Sequence, residues 1–195
     1  MKTITSAEMK QLEQNSSVHG VTTLKLMENA GLRAASCIRK KTNVENHYFI
    51  VFCGKGGNGG DGFAVASKLF KWGANVIVVL TDGSPVNPDS IQTFATLNTL
   101  RIPVLSYTEN KERILKCLAT ADMVIDAMYG IGFKGELTAL QREITCAINA
   151  SPALVAALDI PSGVNADTAY ADSDAVCADY TIVFECLKPA HLFTK

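Results

Sequence analysis

The stretch running from Cys53 to Ala66, "CGKGGNGGDGFAVA", follows directly on the apolar run "YFIVFC" (48–53). That run is too short for a buried helix and is rich in aromatic and β-branched residues, so it reads as a buried strand. Past the glycines, "GFAVASKLFKW" has a helical pattern. Strand, glycine loop and helix in this order open a β-α-β unit. Gly54, Gly56 and Gly59 fit the G-x-G-x-x-G spacing of dinucleotide-binding loops, but the second half, Asn58-Gly59-Gly60-Asp61-Gly62, is not explained by that spacing.

Outward from this stretch the chain alternates. "NVIVVL" (75–80) is a second strand, a helix lies near 88–100, and "IPVLS" (102–106) is a third strand. "KERILKCLA" is helical, "DMVIDAMY" (122–129) a strand, "ALQREITCAINA" a helix, and "LVAALDI" (154–160) and "YTIVF" (180–184) are the last strands. Upstream, "SAEMKQLEQN" reads as a helix capped by Ser6, with Met9 and Leu12 on one face. "LKLMENAGLRAASCIRK" is longer, with Leu24, Met27, Ala30, Ala34 and Ile38 at helical spacing. The alternation predicts an α/β fold: a mainly parallel sheet with helices on both faces, preceded by N-terminal helices. For six strands the expected order is 3-2-1-4-5-6, which makes strands 1 and 4 neighbours at the switch point where such sheets bind ligands.

The 195 residues suit one domain, 1–195. A net charge of −1 without a long basic run argues against a general electrostatic grip on nucleic acid. The N-terminus is polar and lacks the apolar core of a signal peptide, and no apolar run approaches a membrane span. The six cysteines are scattered, without C-x-x-C or metal spacing, and several lie in apolar strand- or helix-like stretches, where they read as reduced, small core residues. A cytoplasmic protein is expected.

Three loops then meet at one sheet edge. They are the glycine loop (54–62), "YGIGFKG" (129–135) after strand 4, and "DIPSG" (159–163) after strand 5. Taken singly, each is explained by turn-making. Two glycine loops flanking the switch point, with a carboxylate at the end of the next strand, point to a ligand cleft. Asp82, about 20 residues after the first loop, stands where a dehydrogenase would place its ribose-binding acid. Asp61 argues against that reading, because a carboxylate at the helix start would repel phosphates or occupy their site. In the first turn of a helix, Asp61 is expected to stay ionised. No Gly-Lys-Ser/Thr ends the loop, so a P-loop fails as well.

"SAEMKQLE" with "LMENAG", then "NGGDGFAVA", "DAMYGIG", "LDIPSGVNADT" and "ADYTIVFECLKPA" occur in that order over nearly the whole chain. In this the sequence resembles the NAD(P)H-hydrate epimerases, the YjeF N-terminal domain family. The resemblance implies a Rossmann-like three-layer α/β/α sandwich and an isomerase of nicotinamide nucleotide repair. Such an enzyme interconverts the R and S forms of hydrated NADH and NADPH for a partner dehydratase that accepts only S, either on a separate chain or continuing past Lys195. A homodimer is a further expectation. By similarity the substrate site would use Gly57, Asn58, Gly59, Gly60 and Asp61, the loop Gly130, Ile131, Gly132, Phe133, Lys134, Gly135 and Glu136, and Asp159. A potassium ion would sit near Asn58, Asp126 and Ser162. Two neutral oxygens and one carboxylate suit such a cation better than zinc or calcium. Gly57 stands where the family usually has an asparagine and Ile131 where a threonine is common, while Ala169 and Ala190 replace frequent glycines. The chain ends at "HLFTK", earlier than most relatives.

Epimerisation at C6 of the hydrate requires a proton for the leaving hydroxyl and a base for the returning water. Asp159 is the leading candidate. Lys188 is second, with a solvated surface lysine an equal reading. His19, His47 and His191 lie in no motif and read as structural or exposed. Glu28 and Asn29 either buttress the site or are explained by helix capping or surface exposure. The competing functions are a catalytically silent protein- or RNA-associated module of the same fold and an ordinary dehydrogenase.

Overall fold

The computed structural model describes residues 3–18 and 20–193, so His19 lies outside the described residues. Two helices, α1 (Ser6–Val18) and α2 (Thr23–Lys41), precede β1 (Tyr48–Cys53). There follow α3 (Gly57–Lys71), β2 (Asn75–Leu80), α4 (Pro88–Leu100), β3 (Val104–Ser106), α5 (Tyr107–Leu118) and β4 (Met123–Ala127). The chain continues through α6 (Ala139–Asn149), β5 (Leu154–Leu158) and β6 (Tyr180–Ile182) to α7 (Ala190–Phe193). All five strand pairs are parallel and the order is β3-β2-β1-β4-β5-β6, the doubly wound order expected from the alternation.

Strand periodicity divides the core in two. Phe49, Val51 and Cys53 of β1 point to the face covered by α2, α3 and α4, where they meet Ile38, Phe63 and Leu69. Ile50 and Phe52 point to the face covered by α5 and α6, among Ile114, Ile144 and Ile148. These are the three layers of a Rossmann-like sandwich. Helix starts follow local chemistry. Asn87 caps α4 through its side chain with Pro88 behind it, and Thr138 and Gln141 form a reciprocal capping box on α6.

Several expectations are corrected. The cap of α1 is Thr5, not Ser6: Thr5 Oγ1 accepts from the Glu8 N–H, while the Glu8 carboxylate accepts from the Thr5 N–H. Ser6 Oγ instead donates to the Ile131 carbonyl, because the segment before α1 is stitched across the site loops. Met9 is buried but Leu12 is exposed. Helix α5 begins at Tyr107 and carries a kink at Asn110. Of the cysteines only Cys53 is buried, and all six are free. The exposed sulfurs lie on the outer faces of helices or in loops, which composition alone does not distinguish from inner ones.

Candidate active site

The carboxyl ends of β1, β4 and β5 open into a cleft of about 660 Å³. Its wall on the β1 side is the start of α3, whose N-cap Gly56 has no side-chain cap. A Cβ at Gly59 would fall on the Gly54 carbonyl, so glycine there lets α3 approach the end of β1. Gly56 and Gly57 have open space where a Cβ would be, and both face the cleft. The opposite wall is the loop after β4. Gly130, Ile131, Gly132, Phe133, Lys134 and Glu136 line it, and Phe133 closes a turn by donating to the Gly130 carbonyl. Helix α1 contributes Met9, Lys10 and Glu13.

The cleft thus gathers Gly57, Asn58, Asp61, six residues of the 130–136 loop and Asp159 from the expected substrate set. Gly59, Gly60 and Gly135 are not among the lining residues. A Cβ at Gly60 would meet Met27 and Ser90, which makes it a packing position. Gly135 takes a positive φ of 82° in the turn leading to α6. In "LMENAG", Met27 and Gly31 do the packing, and a Cβ at Gly31 would fall on Ala64 of α3. Glu28 is exposed and pairs with Lys25 at 3.2 Å, and Asn29 is exposed too, so neither buttresses the site.

Asp159 is the most constrained residue of the cleft. It follows β5 with φ 63°, and the Ile160 N–H donates to the Leu158 carbonyl across it, closing a three-residue turn that L-residues rarely adopt. Its Oδ1 accepts from Lys188 Nζ at 2.5 Å and from the Phe184 N–H at 3.3 Å. Oδ2 has no hydrogen bond among the described residues. Lys188 is fully buried behind Asp159, and Nζ also donates to the Phe184 carbonyl at 2.9 Å. The surface reading of Lys188 is therefore wrong: its charge leaves solvent because Asp159 and a backbone carbonyl receive it.

Asp61 is the fifth residue of α3, beyond the first turn, and makes no hydrogen bond to the uncapped amides. Its surroundings work against the ionised state expected for a first-turn carboxylate. Burial, then the charges of Asp159 and Glu13, push its carboxyl well above the usual range. Burial likewise raises Glu13, with Glu185 and Asp159 adding to the shift. Below the cleft, Asp126 is fully buried and pairs with no cationic side chain among the described residues. It accepts from Ser162 Oγ at 2.6 Å, the Ser162 N–H at 2.7 Å and the Met128 N–H at 3.1 Å, yet burial still carries its pKa up to about 6. Asn58 Nδ2 donates to the Leu158 carbonyl at 3.3 Å, and its amide oxygen has no hydrogen bond among the described residues.

Asp82 does line the cleft, but Oδ1 accepts from the Lys55 N–H at 2.9 Å and so ties the end of β2 to the glycine loop. Glu13, Tyr129 and Gln141 are not singled out as site residues from the sequence, and His191 reads only as structural or exposed. For Glu13 a signal existed, since it stands one turn after Met9 on the inward face of α1. His191 belongs to no motif, yet its Nε2 lies 2.7 Å from the Asp159 carbonyl oxygen.

Comparison with known proteins bears on the family and the fold. The chain is 38% identical over 174 residues to an NAD(P)H-hydrate epimerase of Pirellula staleyi, covering 88% of this chain and 76% of that protein. It is 35% identical to an NAD(P)H-hydrate epimerase of Elusimicrobium minutum, covering 100% and 90%. It is 36% identical to the bifunctional NAD(P)H-hydrate repair enzyme Nnr of Moorella thermoacetica, covering 94% of this chain but 36% of that longer protein. The crystal structure of yeast ynu0 superposes with a TM-score of 0.87 over 98% of this chain and 83% of its own, at 22% identity, which speaks for the fold. Residues 23–190, from α2 through Asp159 to Lys188 at the back of the cleft, match the family described as YjeF-related protein N-terminus, and the chain belongs to that family.

Proposed function

We propose that the protein is an NAD(P)H-hydrate epimerase, interconverting the R and S forms of hydrated NADH and NADPH in nicotinamide nucleotide repair. The observation that carries this reading is Asp159: a carboxylate in a strained turn, ion-paired at Oδ1 with a buried lysine and unengaged at Oδ2, in a cleft sized for part of a dinucleotide. The relatives called NAD(P)H-hydrate epimerase and bifunctional repair enzyme support it. The chain spans 36% of the Moorella bifunctional protein's length, and a dehydratase taking the S form is the partner proposed for it.

The hydrate loses its C6 hydroxyl with help from the ring-nitrogen lone pair, leaving a planar cation to which water returns on either face. The departing oxygen takes up a proton, and the returning water gives one away. Asp61, which keeps its proton to higher pH than an ordinary carboxyl, supplies the donor, and Asp159 Oδ2 accepts from the returning water. The proton then passes back from Asp159 to Asp61 before the next turnover in the same direction. Lys188 holds Asp159 in place and keeps its charge compensated.

Potassium is proposed at Asn58, Asp126 and Ser162. The fit rests on a buried Asp126 that lacks a cationic side chain and on the unengaged Asn58 amide oxygen. When bound, the ion supplies positive charge that favours ionised Asp126 beneath the cleft. A cytoplasmic setting is also proposed. Among the described residues no helix is long and apolar enough to cross a membrane.

The test is direct. Purified R-hydrate is incubated with the protein and its conversion followed by chromatography against an enzyme-free control. Conversion no faster than the control would end the epimerase reading.

A further inference from the structure

Resting on the reading of Asp159 as the proton-transfer group, we infer that His191 is a positioning residue that clamps the Asp159–Lys188 pair as a neutral imidazole of one fixed tautomer. The Lys188 backbone N–H donates to His191 Nδ1 at 2.8 Å. A backbone amide can only donate, so Nδ1 carries no proton. Nε2 must then carry it, and it donates to the Asp159 carbonyl oxygen at 2.7 Å. One ring therefore bridges the backbones of the two residues whose side chains form the ion pair. A protonated ring would set an Nδ1–H against the Lys188 N–H, so the bridge exists only in the neutral form.

What the clamp restrains is a pair of strained turns. Asp159 has φ 63° and Glu185 φ 57°, and each is the middle residue of a three-residue turn, closed by Ile160 N–H to Leu158 and by Cys186 N–H to Phe184. Lys188 Nζ joins the two turns by donating to Asp159 Oδ1 and to the Phe184 carbonyl. The Asp159 N–H donates to the Ile182 carbonyl at 2.8 Å. With His191 on its carbonyl, both backbone polar groups of Asp159 are held by the segment 182–191. Without that ring, the carbonyl side of an unfavourable turn is unrestrained, and the direction of Oδ2 in the cleft with it. His191 itself is absent from the cleft lining, so it acts through Asp159 and not on the substrate.

The experiment combines kinetics with ring spectroscopy. In long-range proton–nitrogen NMR of the wild-type protein at neutral pH, one histidine should show the Nε2–H tautomer, and its signals should vanish in His191→Ala. A His191 ring found as the Nδ1–H tautomer, or exchanging between tautomers, would overturn the clamp, and this readout needs no substrate. In the hydrate assay, His191→Ala should lower kcat about tenfold or more while KM stays within about twofold, because misaimed proton transfer costs turnover and not binding. His191→Gln, whose Nε2 can reach the same carbonyl, should recover a substantial part of kcat. A drop in melting temperature with wild-type kcat in the folded variants overturns the inference. Should His191→Ala fail to fold, His191→Gln and the tautomer spectrum decide. Wild-type protein inactive on the hydrate would instead sink the epimerase reading, a result separable from any behaviour of the variants.

Discussion

Asp159, Asp61 and Glu13 are carboxyl groups in one cleft, and each has different surroundings. Asp159→Asn keeps the acceptor for Lys188 Nζ but cannot accept the proton, so kcat should fall roughly 10²–10⁴-fold while the hydrate still binds. Losing one charge of a buried pair also costs about 3–5 kcal/mol of stability at most, so the rate must be measured per folded molecule. Near-wild-type kcat in this variant would remove Asp159 from the mechanism. Glu13 yields a pH prediction. Its folded pKa is raised, so as pH climbs from the ordinary carboxylate range the unfolded chain releases this proton before the folded one does. Its contribution to stability is therefore lost as pH rises through the raised value and is level above it. Glu13→Gln should match wild type in acid and exceed it at alkaline pH in urea unfolding, and a pH-independent difference would disprove the assignment. Asp159 was legible because it ends an apolar strand and precedes Pro161. Lys188 was legible as the second candidate, but its burial was not, and neither was the part of His191, because both depend on a partner 29 and 32 residues earlier in the chain.

Among the elements, strand periodicity was readable and strand ends were not. β5 stops at Leu158, two residues short of the expected end, because the positive φ of Asp159 turns the chain out of the sheet. The cap of α1 was misplaced by one residue, since Thr5 and Ser6 are both capping types and only the contact with the Ile131 carbonyl separates them. The loop after Asp159 holds another positive φ, 60° at Ala169. Relieving the left-handed strain gains about 1–2 kcal/mol, and the added freedom of glycine in the unfolded chain takes back about 0.5–1. Ala169→Gly should thus stabilise the protein, by up to about 1.5 kcal/mol, in denaturant unfolding. A destabilised Ala169→Gly would show that the alanine methyl packs better than its backbone geometry suggests.

At the scale of the whole molecule, the strand order and the meeting of three loops at the switch point followed from the alternation alone. The contribution of α1 to the cleft did not, because its inward face mixes Met9 with Glu13 and carries no apolar stripe. The proposed potassium site would join the chain after β1, in β4 and after β5, and so bear on the architecture as well as on turnover. Exchange of potassium for choline should lower both activity and melting temperature, and titrating potassium back should restore both by mass action. Equal values of both in the two buffers would exclude the ion. The partners of Asp159 have a consequence for biosynthesis. A chain emerging from the ribosome can pair β1 to β5 before residues 184–191 exist, but Asp159 then lacks its ammonium, its imidazole and the amide of Phe184. On the proposed role of Asp159, the sheet from β1 to β5 can form ahead of the site, and the proton-transfer group gains its partners only when residues 184–191 are added.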